Sequence, residues 1–384
     1  MSRAPGVVRV ALPCTGLGRQ FRGFEAVTRE LHAALRGTPG LALTVYGGGG
    51  DLKHGERSVW NLPRDSTGAR AAARMAGRGS YFIEQVSFFA GYLPHLLSWR
   101  PDVVYFADLN FGNACWHWRR VSGQRFRLVY YNGGPTTRPF TRCDFVQQMT
   151  PAHFDAAIAR GEARDRMFVL PHGFELPALP RERNASRDEA TRRVFGVPDG
   201  KRLLLSVGML GSTLKRMDVL VDAVASMGDD RPFLVMLGQE TAETPALRAR
   251  VRERLGDGAF LGTWPRERMA DAYDAADAFA LLSLDEGFGL VYVEAMAAGL
   301  PSVAHDNPNT RYILGPQAML GNTTDPTSTV ALVRRALTAS ASENERRARL
   351  AWVRARFGWD MLAPRYAEMF RACAAGRRPE WSDA

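Results

Sequence analysis

The stretch Leu282-Ser-Leu-Asp-Glu286-Gly-Phe-Gly289-Leu-Val-Tyr-Val-Glu294-Ala-Met-Ala-Ala-Gly299-Leu-Pro301 decides the reading of this chain. An apolar run, Ala278–Ser283, ends in a loop with glycines at 287 and 289. A helix is then predicted from Leu290 to Ala298, stopped by Gly299 with Pro301 just beyond. Strand, glycine loop, helix is a phosphate-facing order. Glycine lets backbone come close to a ligand, and the free N–H groups at the helix start favour an anion. Val293, Ala295, Met296 and Ala297 make this helix apolar all round, so it is predicted to be buried. Glu294 sits inside it and needs partners there. Ribose hydroxyls can serve, because a carboxylate accepts two at once. Residue chemistry alone leaves two readings open. Glu286 and Glu294 are ligand-binding carboxylates, or Glu286 is a loop charge and Glu294 pairs with an arginine.

Working outward, the second half repeats the alternation of strand and helix. Strands are predicted at Arg202–Val207, Phe233–Leu237, Ala259–Leu261, Ala278–Ser283 and Ser302–His305. Helices are predicted at Met217–Met227, Pro245–Leu255, Arg266–Ala276 and Thr327–Ala339. The first half does the same, with strands at Val7–Leu12, Leu41–Tyr46, Asp102–Phe106, Phe126–Tyr131 and Phe168–Leu170. Its helices are Glu25–Leu35 and the long apolar Tyr81–Trp99, where Glu84 and Gln85 make a polar edge and Pro94 a kink. Gly47–Gly79, rich in Gly, Arg and Ala, reads as loop and irregular helix. Pro177–Arg193, rich in Pro, Arg and Glu, reads as the boundary between domains. Alternation of this kind argues for parallel sheets. The expected fold is α/β, with two Rossmann-like doubly wound domains facing a central cleft. Residues 1–176 form one domain and 177–356 the other. Residues 357–384 form a closing helix that returns to the first. Ligands in such sheets sit at the carboxyl ends of the strands.

Composition narrows the class. The 384 residues carry 46% apolar and 23% charged side chains, ordinary globular values. No run approaches the ~18 apolar residues of a bilayer span, and Val7–Cys14 reads as a first strand rather than a signal peptide. A cytoplasmic protein is expected, with no predicted membrane contact. Cys14, Cys115, Cys143 and Cys373 have no metal-ligand or disulfide spacing and read as ordinary thiols. No His, Cys or carboxylate cluster suggests a metal. The net charge of +10 is spread along the chain without a basic block, so nucleic acid is not an expected partner. Lysine is nearly absent, at Lys53, Lys201 and Lys215 among fifty Lys and Arg residues. A retained lysine is the better candidate for a site needing a compact charge, and this points to Lys215.

The stretch Ser206-Val-Gly-Met-Leu-Gly-Ser-Thr-Leu-Lys-Arg-Met-Asp218 lacks the Gly-x4-Gly-Lys-Ser/Thr of a Walker loop, yet Gly208, Gly211 and Lys215 suit a phosphate-facing turn. The first loop, Thr15-Gly-Leu-Gly-Arg-Gln-Phe-Arg-Gly23, has Phe21 where a dinucleotide fingerprint needs glycine, which argues against NAD. Tyr131-Asn-Gly-Gly-Pro135 ends a strand as a turn or as a ligand contact. Asp108, Asn110 and Trp116-His-Trp-Arg119 either line an acceptor site or pack in the core.

Glu286-Gly-Phe-Gly…Glu294-Ala-Met-Ala-Ala-Gly-Leu-Pro301 resembles the motif of glycosyltransferase family 4. The likeness extends to Leu261-Gly262 with Ala272–Ala280, to Val207-Gly208 with Lys215, to Leu170-Pro-His172-Gly-Phe-Glu175 and to Trp359–Phe370. The resemblance implies the GT-B fold and a retaining glycosyltransferase that moves a hexose from a UDP- or GDP-sugar to a hydroxyl of a small molecule, glycan or lipid. The nucleotide-sugar is a co-substrate, no cofactor or metal is implied, and a monomer or homodimer is expected. It also implies roles. Glu286 contacts the transferred sugar, Lys215 neutralises the leaving diphosphate and Glu294 holds the ribose. The backbone at Phe288, Gly289 and Leu290 faces diphosphate and sugar, and Gly208, Gly16 and Gly18 approach the same groups. Thr263 and Trp264 lie by the base, where Trp264 either stacks on it or packs in the core. Asn132, Arg19, Arg216 and His172 are further candidates. Two departures stand out. Met209 replaces an arginine of the family, leaving Arg216, Arg19 or Arg22 to compensate. Asn132 stands where many relatives have histidine, and it cannot act as a base. The alternatives are a sugar-nucleotide epimerase of similar architecture or a non-catalytic nucleotide-sugar-binding relative.

Overall fold

The computed structural model describes residues 6–19, 23–134, 138–182, 184–339 and 342–383. Phe21, Arg22 and Pro135 lie outside the described residues. Two compact units are present, residues 1–175 with 357–384, and residues 176–356.

The first unit opens with β1 (Val8–Cys14), α1 (Gly23–Leu35), β2 (Leu41–Gly47), β3 (Arg57–Ser58), α2 (Thr67–Ala76) and α3 (Ser80–Trp99). It continues with β4 (Val103–Phe106), α4 (Leu109–Ser122), β5 (Arg127–Asn132), β6 (Phe145–Gln148), α5 (Pro151–Ala159) and β7 (Met167–Val169). The strands form one sheet in the order β3-β2-β1-β4-β5-β6-β7, and every pairing is parallel. Its core joins Ala11, Tyr46, Val104, Phe106 and Leu128 of the strands to Phe88, Tyr92, Leu96, Phe111 and Phe154 of the helices.

The second unit runs through α6 (Ala185–Phe195), β8 (Leu203–Val207), α7 (Met217–Ala225), β9 (Phe233–Leu237), α8 (Thr244–Leu255) and β10 (Ala259–Gly262). Next come α9 (Met269–Ala275), β11 (Ala278–Leu281), α10 (Leu290–Ala297), β12 (Ser302–His305), α11 (Pro308–Leu314), β13 (Met319–Gly321), α12 (Pro326–Thr338) and α13 (Glu343–Phe357). Its all-parallel sheet has the order β10-β9-β8-β11-β12-β13. The order reverses between β8 and β11, where such sheets open a crevice at their carboxyl ends. Strands here read as apolar runs, such as Phe233–Leu237, because helices cover both faces. The chain then rejoins the first unit as α14 (Trp359–Ala374), held there by a parallel bridge between Phe174 and Gly358.

One sequence expectation is corrected, and two further regions gain detail. Gly47–Gly79, expected to be loop and irregular helix, contains β3 and the regular helix α2. Ser66 caps α2 by accepting from Ala69 N, and Gly77 ends it at φ 61°. Within Pro177–Arg193, read as a boundary, α6 starts at Ala185 behind an Asn184 cap and buries Thr191 and Phe195. The polar edge of α3 at Glu84 and Gln85 is buried. Glu84 forms a salt bridge with Arg64, and the Gln85 carbonyl accepts from Asn110 N at the start of α4. Burying these groups is tolerable because each is paired.

No helix among the described residues is long and apolar enough to cross a membrane.

Candidate active site

At the reversal point of the second sheet two loops meet. One follows β8 and carries Gly208 to Arg216; the other follows β11 and carries Leu282 to Gly289. Lys215 Nζ lies 2.5 Å from Glu286 Oε1, although 71 residues separate them. Glu286 is 8% exposed. A carboxylate this shielded needs its cation, since an unpaired buried charge is strongly destabilising. Gly208 leaves room for the stem of Lys215, whose Cδ would meet an added Cβ at 3.3 Å.

The second loop is held from α11. Asn309 Nδ2 donates to the backbone carbonyl of Glu286 at 3.3 Å, and Asn307 Nδ2 to that of Leu284 at 3.0 Å. Asn307 also caps α11 in a reciprocal capping box with Thr310, which fixes its position. At the end of this loop Gly289 adopts φ 76°, and an added Cβ would meet the Tyr292 ring at 2.5 Å. Gly289 therefore serves the turn into α10 through both its conformation and its size. The helix N-terminus opens at Leu290, beside Phe288, which is buried.

Glu294 lies one turn along α10 and is half-buried. It accepts a hydrogen bond from Tyr273 Oη of α9 at 2.7 Å. Burial and then the neighbouring Glu294 charge push the Tyr273 phenol well above its ordinary pKa, so it remains a donor. One carboxylate oxygen is thus anchored by a protein hydroxyl.

The first loop is braced on both sides. Arg216 sits at φ 49°, which costs roughly 1–2 kcal/mol for a residue with a Cβ. Its guanidinium donates to the carbonyls of Leu282 and Thr323 at 3.1 Å each and to Thr323 Oγ1 at 3.2 Å. The same threonine meets His305, whose ring burial and the Arg216 charge hold below its usual pKa. The guanidinium therefore ties the ends of two strands together rather than standing in for the arginine absent at Met209. Met209 is 40% exposed.

Gly238, at the end of β9, is pressed against the same loop. A Cβ there would lie 1.7 Å from the Gly208 carbonyl oxygen. Gly238→Ala is expected to cost about 2 kcal/mol through forced displacement of the β8 loop. That corresponds to a fall in Tm of roughly 5 °C by calorimetry. An unchanged Tm would mean that the loop yields without cost.

Thr263 and Trp264 follow β10. Thr263 is exposed. The Trp264 ring packs on Phe195 at 4.7 Å between centroids, lies under the Arg268 guanidinium at 4.6 Å, and donates Nε1–H to the Arg268 carbonyl. One side of the ring is thus packed against the domain, and the side chain as a whole is half-buried.

The remaining candidates lie in the first unit. Gly16 is buried and Gly18 has φ 88°. Glycine at 18 is required by the Gly49 carbonyl, which an added Cβ would meet at 2.4 Å. Arg19 donates to Asn61 Oδ1 at 2.6 Å. Asn132 is buried and donates to Gln148 Oε1 at 2.8 Å. His172 is 1% exposed, packed against Phe174 and Trp359, with Nε2 3.5 Å from Glu30. Asp108 accepts from Thr15 Oγ1 at 2.5 Å and from the Tyr81 hydroxyl, tying the loops after β1 and β4.

Sequence reasoning missed Tyr273, Asn309 and the capping role of Asn307. Asn-Pro with threonine at the third helical position was a readable cap signal. Nothing local marks Tyr273, whose partner is 21 residues away.

The geometry defines a class, a two-domain protein of GT-B type whose second Rossmann-like unit carries a carboxylate–lysine pair at its switch point. Residues 187–351, within that second unit, match the family of glycosyl transferases group 1 and carry its domain. The chain is 34% identical over 234 residues to a D-inositol 3-phosphate glycosyltransferase of Xylanimonas cellulosilytica, covering 57% of this chain and 54% of that one. It is 34% identical over 176 residues to a mannosylfructose-phosphate synthase of Agrobacterium fabrum, covering 43% and 38%. The chain thus spans about half the length, or less, of these curated relatives. The fold matches that of a sucrose-phosphate synthase from Thermosynechococcus elongatus, with TM-score 0.78, 19% identity, and coverage of 96% of this chain and 99% of the other. It also matches Anabaena Alr3699/HepE, solved in complex with UDP and glucose, at TM-score 0.75 and 16% identity over 95% and 99%.

Proposed function

We propose that this chain is a retaining glycosyltransferase that moves a hexose from a nucleoside diphosphate sugar, UDP-linked before GDP-linked, to a hydroxyl of a small phosphorylated sugar or polyol. The observation that carries the reading is the Lys215–Glu286 pair at the β8/β11 switch point, beside the N-terminus of α10. The solved neighbour holding UDP and glucose supports the donor, and the names of the curated relatives support a phosphorylated acceptor.

In this reading the donor diphosphate lies against Lys215 and the start of α10, Glu286 takes sugar hydroxyls, and Glu294 takes the ribose. As the anomeric C–O bond lengthens, negative charge builds on the departing diphosphate. Lys215 and the helix N-terminus stabilise that charge, a preorganised electrostatic effect. The acceptor oxygen attacks the anomeric carbon from the face the diphosphate leaves, and a diphosphate oxygen takes its proton. The configuration is retained without a covalent sugar–protein bond. Because Lys215 and the helix handle the charge, the scheme calls on no metal or cofactor. Acceptor recognition is assigned to the first unit, and the reaction to the cytoplasm.

Incubation with UDP- and GDP-hexoses, with and without hexose phosphates and inositol phosphates, tests the proposal. The expected result is acceptor-dependent release of nucleoside diphosphate, with the donor's anomeric configuration kept in the product by NMR. A donor converted to its isomer without acceptor would instead identify an epimerase. Binding of nucleotide with no turnover of any donor would favour a non-catalytic relative.

A further inference from the structure

The turn that carries Lys215 is clamped by the segment after β9, Gln239 to Thr244. Leu210 N donates to the Gln239 carbonyl at 2.9 Å. Thr241 Oγ1 and the fully buried Thr244 Oγ1 donate back to the Leu210 carbonyl at 3.1 and 2.8 Å. Glu243 adds the strongest element. Its Oε2 accepts from the backbone N–H groups of Ser212 at 2.6 Å and Thr213 at 3.0 Å, and its Oε1 accepts from Thr213 Oγ1 at 2.6 Å. Charged acceptors make hydrogen bonds about twice as strong as neutral ones. The fit is close, since a Cβ at residue 211 would lie 2.6 Å from Glu243 Oε2, and Gly211 makes the approach feasible. The three bonds end two residues before Lys215. These bonds, the Thr213 hydroxyl first, also hold the Glu243 carboxyl below its ordinary pKa.

The arrangement has a consequence for the diphosphate. Amides at a strand-to-helix turn are the usual donors to a phosphate. Here the Gly208 N–H goes to Leu237, that of Leu210 to Gln239, that of Gly211 to Met209, and those of Ser212 and Thr213 to Glu243. The turn spends these amides on its own shape, and its electrostatic work falls to the lysine that the shape presents.

We propose that Glu243 is a positioning residue: its carboxylate locks the turn at 211–213 and so sets Lys215 against Glu286. The inference rests on the transferase reading for its kinetic consequence only. A lysine displaced by about an ångström loses much of its effect on a transition state. Glu243→Ala is expected to lower kcat roughly tenfold while acceptor KM stays near the wild-type value. Glu243→Gln, which keeps an oxygen for both amides, is expected to recover most of the loss.

A second readout needs no substrate. The chain has three lysines, so 13C reductive methylation gives three side-chain signals, and that of Lys215 is assigned by its loss in Lys215→Arg. In Glu243→Ala this signal is expected to move toward that of exposed Lys53, and in Glu243→Gln to stay near its wild-type position. An unmoved Lys215 signal with wild-type kcat in Glu243→Ala would overturn the proposal, as would a lowered Tm with signal and kinetics unchanged. If the wild-type protein transfers no sugar, the functional reading fails, and the lysine spectrum alone still decides the role of Glu243.

Discussion

Lys215→Ala is expected to lower kcat by about a hundred- to a thousandfold, the cost of removing one preorganised donor to a developing negative charge. The effect should fall on kcat because the diphosphate gains charge as the sugar leaves, and binding that grows only in the transition state raises turnover rather than affinity. Two structural facts make the loss large. The substitute arginine of the turn, Arg216, has its guanidinium on the carbonyls of Leu282 and Thr323. Several amides of the turn are also committed, to Leu237, Gln239 and Glu243. The variant has a second consequence, since Glu286, 8% exposed, loses the cation 2.5 Å away. Tm should therefore fall as well, and Lys215→Ala/Glu286→Ala should recover part of that stability without recovering turnover. Steady-state kinetics and calorimetry on the two variants separate these effects. Wild-type kcat in Lys215→Ala would remove the lysine from the mechanism.

The sheets were legible in sequence because a strand covered on both faces must be largely apolar, as Phe233–Leu237 and, apart from Ser206, Leu203–Val207 are. Their order placed the site. When β8 and β11 are neighbours, residues 215 and 286 fall at one edge, so topology rather than spacing brings the pair together. Helices α2 and α6 were obscured by composition. Glycines dominated the impression of Gly47–Gly79, and arginine and glutamate that of Pro177–Arg193, although Ser66, Gly77, Asn184 and Gly196 bracket regular helices in the ordinary way. Other features had no local trace. Nothing in the run Glu240-Thr-Ala-Glu243-Thr says that its carboxylate reaches back to Ser212 and Thr213, and nothing in Leu-Lys-Arg216-Met says that the arginine turns away from its neighbour lysine. Trp264, left open between base and core, shows why an aromatic alone decides little: Phe195 packs on its ring and Arg268 lies over it, yet the side chain is only half-buried.

Glu294 is the other residue whose loss should be severe, and on binding rather than turnover. Its Oε2 is fixed by Tyr273, so the side chain is oriented before any ligand arrives, and little ordering entropy remains to oppose ribose binding. Hydrogen bonds to a charged group contribute about 1.5–3 kcal/mol each. Glu294→Ala is thus expected to weaken UDP by roughly ten- to a hundredfold in calorimetry. Tyr273→Phe tests the orientation separately. It keeps the carboxylate and the packing but removes the hydroxyl, so UDP should weaken by only a few-fold, through a freer Glu294. The pattern of the two variants is diagnostic. If Glu294 holds ribose, Glu294→Ala weakens UDP far more than Tyr273→Phe does, and Glu294→Ala/Tyr273→Phe is no worse than Glu294→Ala alone, because the tyrosine acts only through the carboxylate. If Glu294 serves merely to satisfy Tyr273 inside the domain, the single variants lower Tm, the double variant regains it, and UDP affinity stays at the wild-type value throughout.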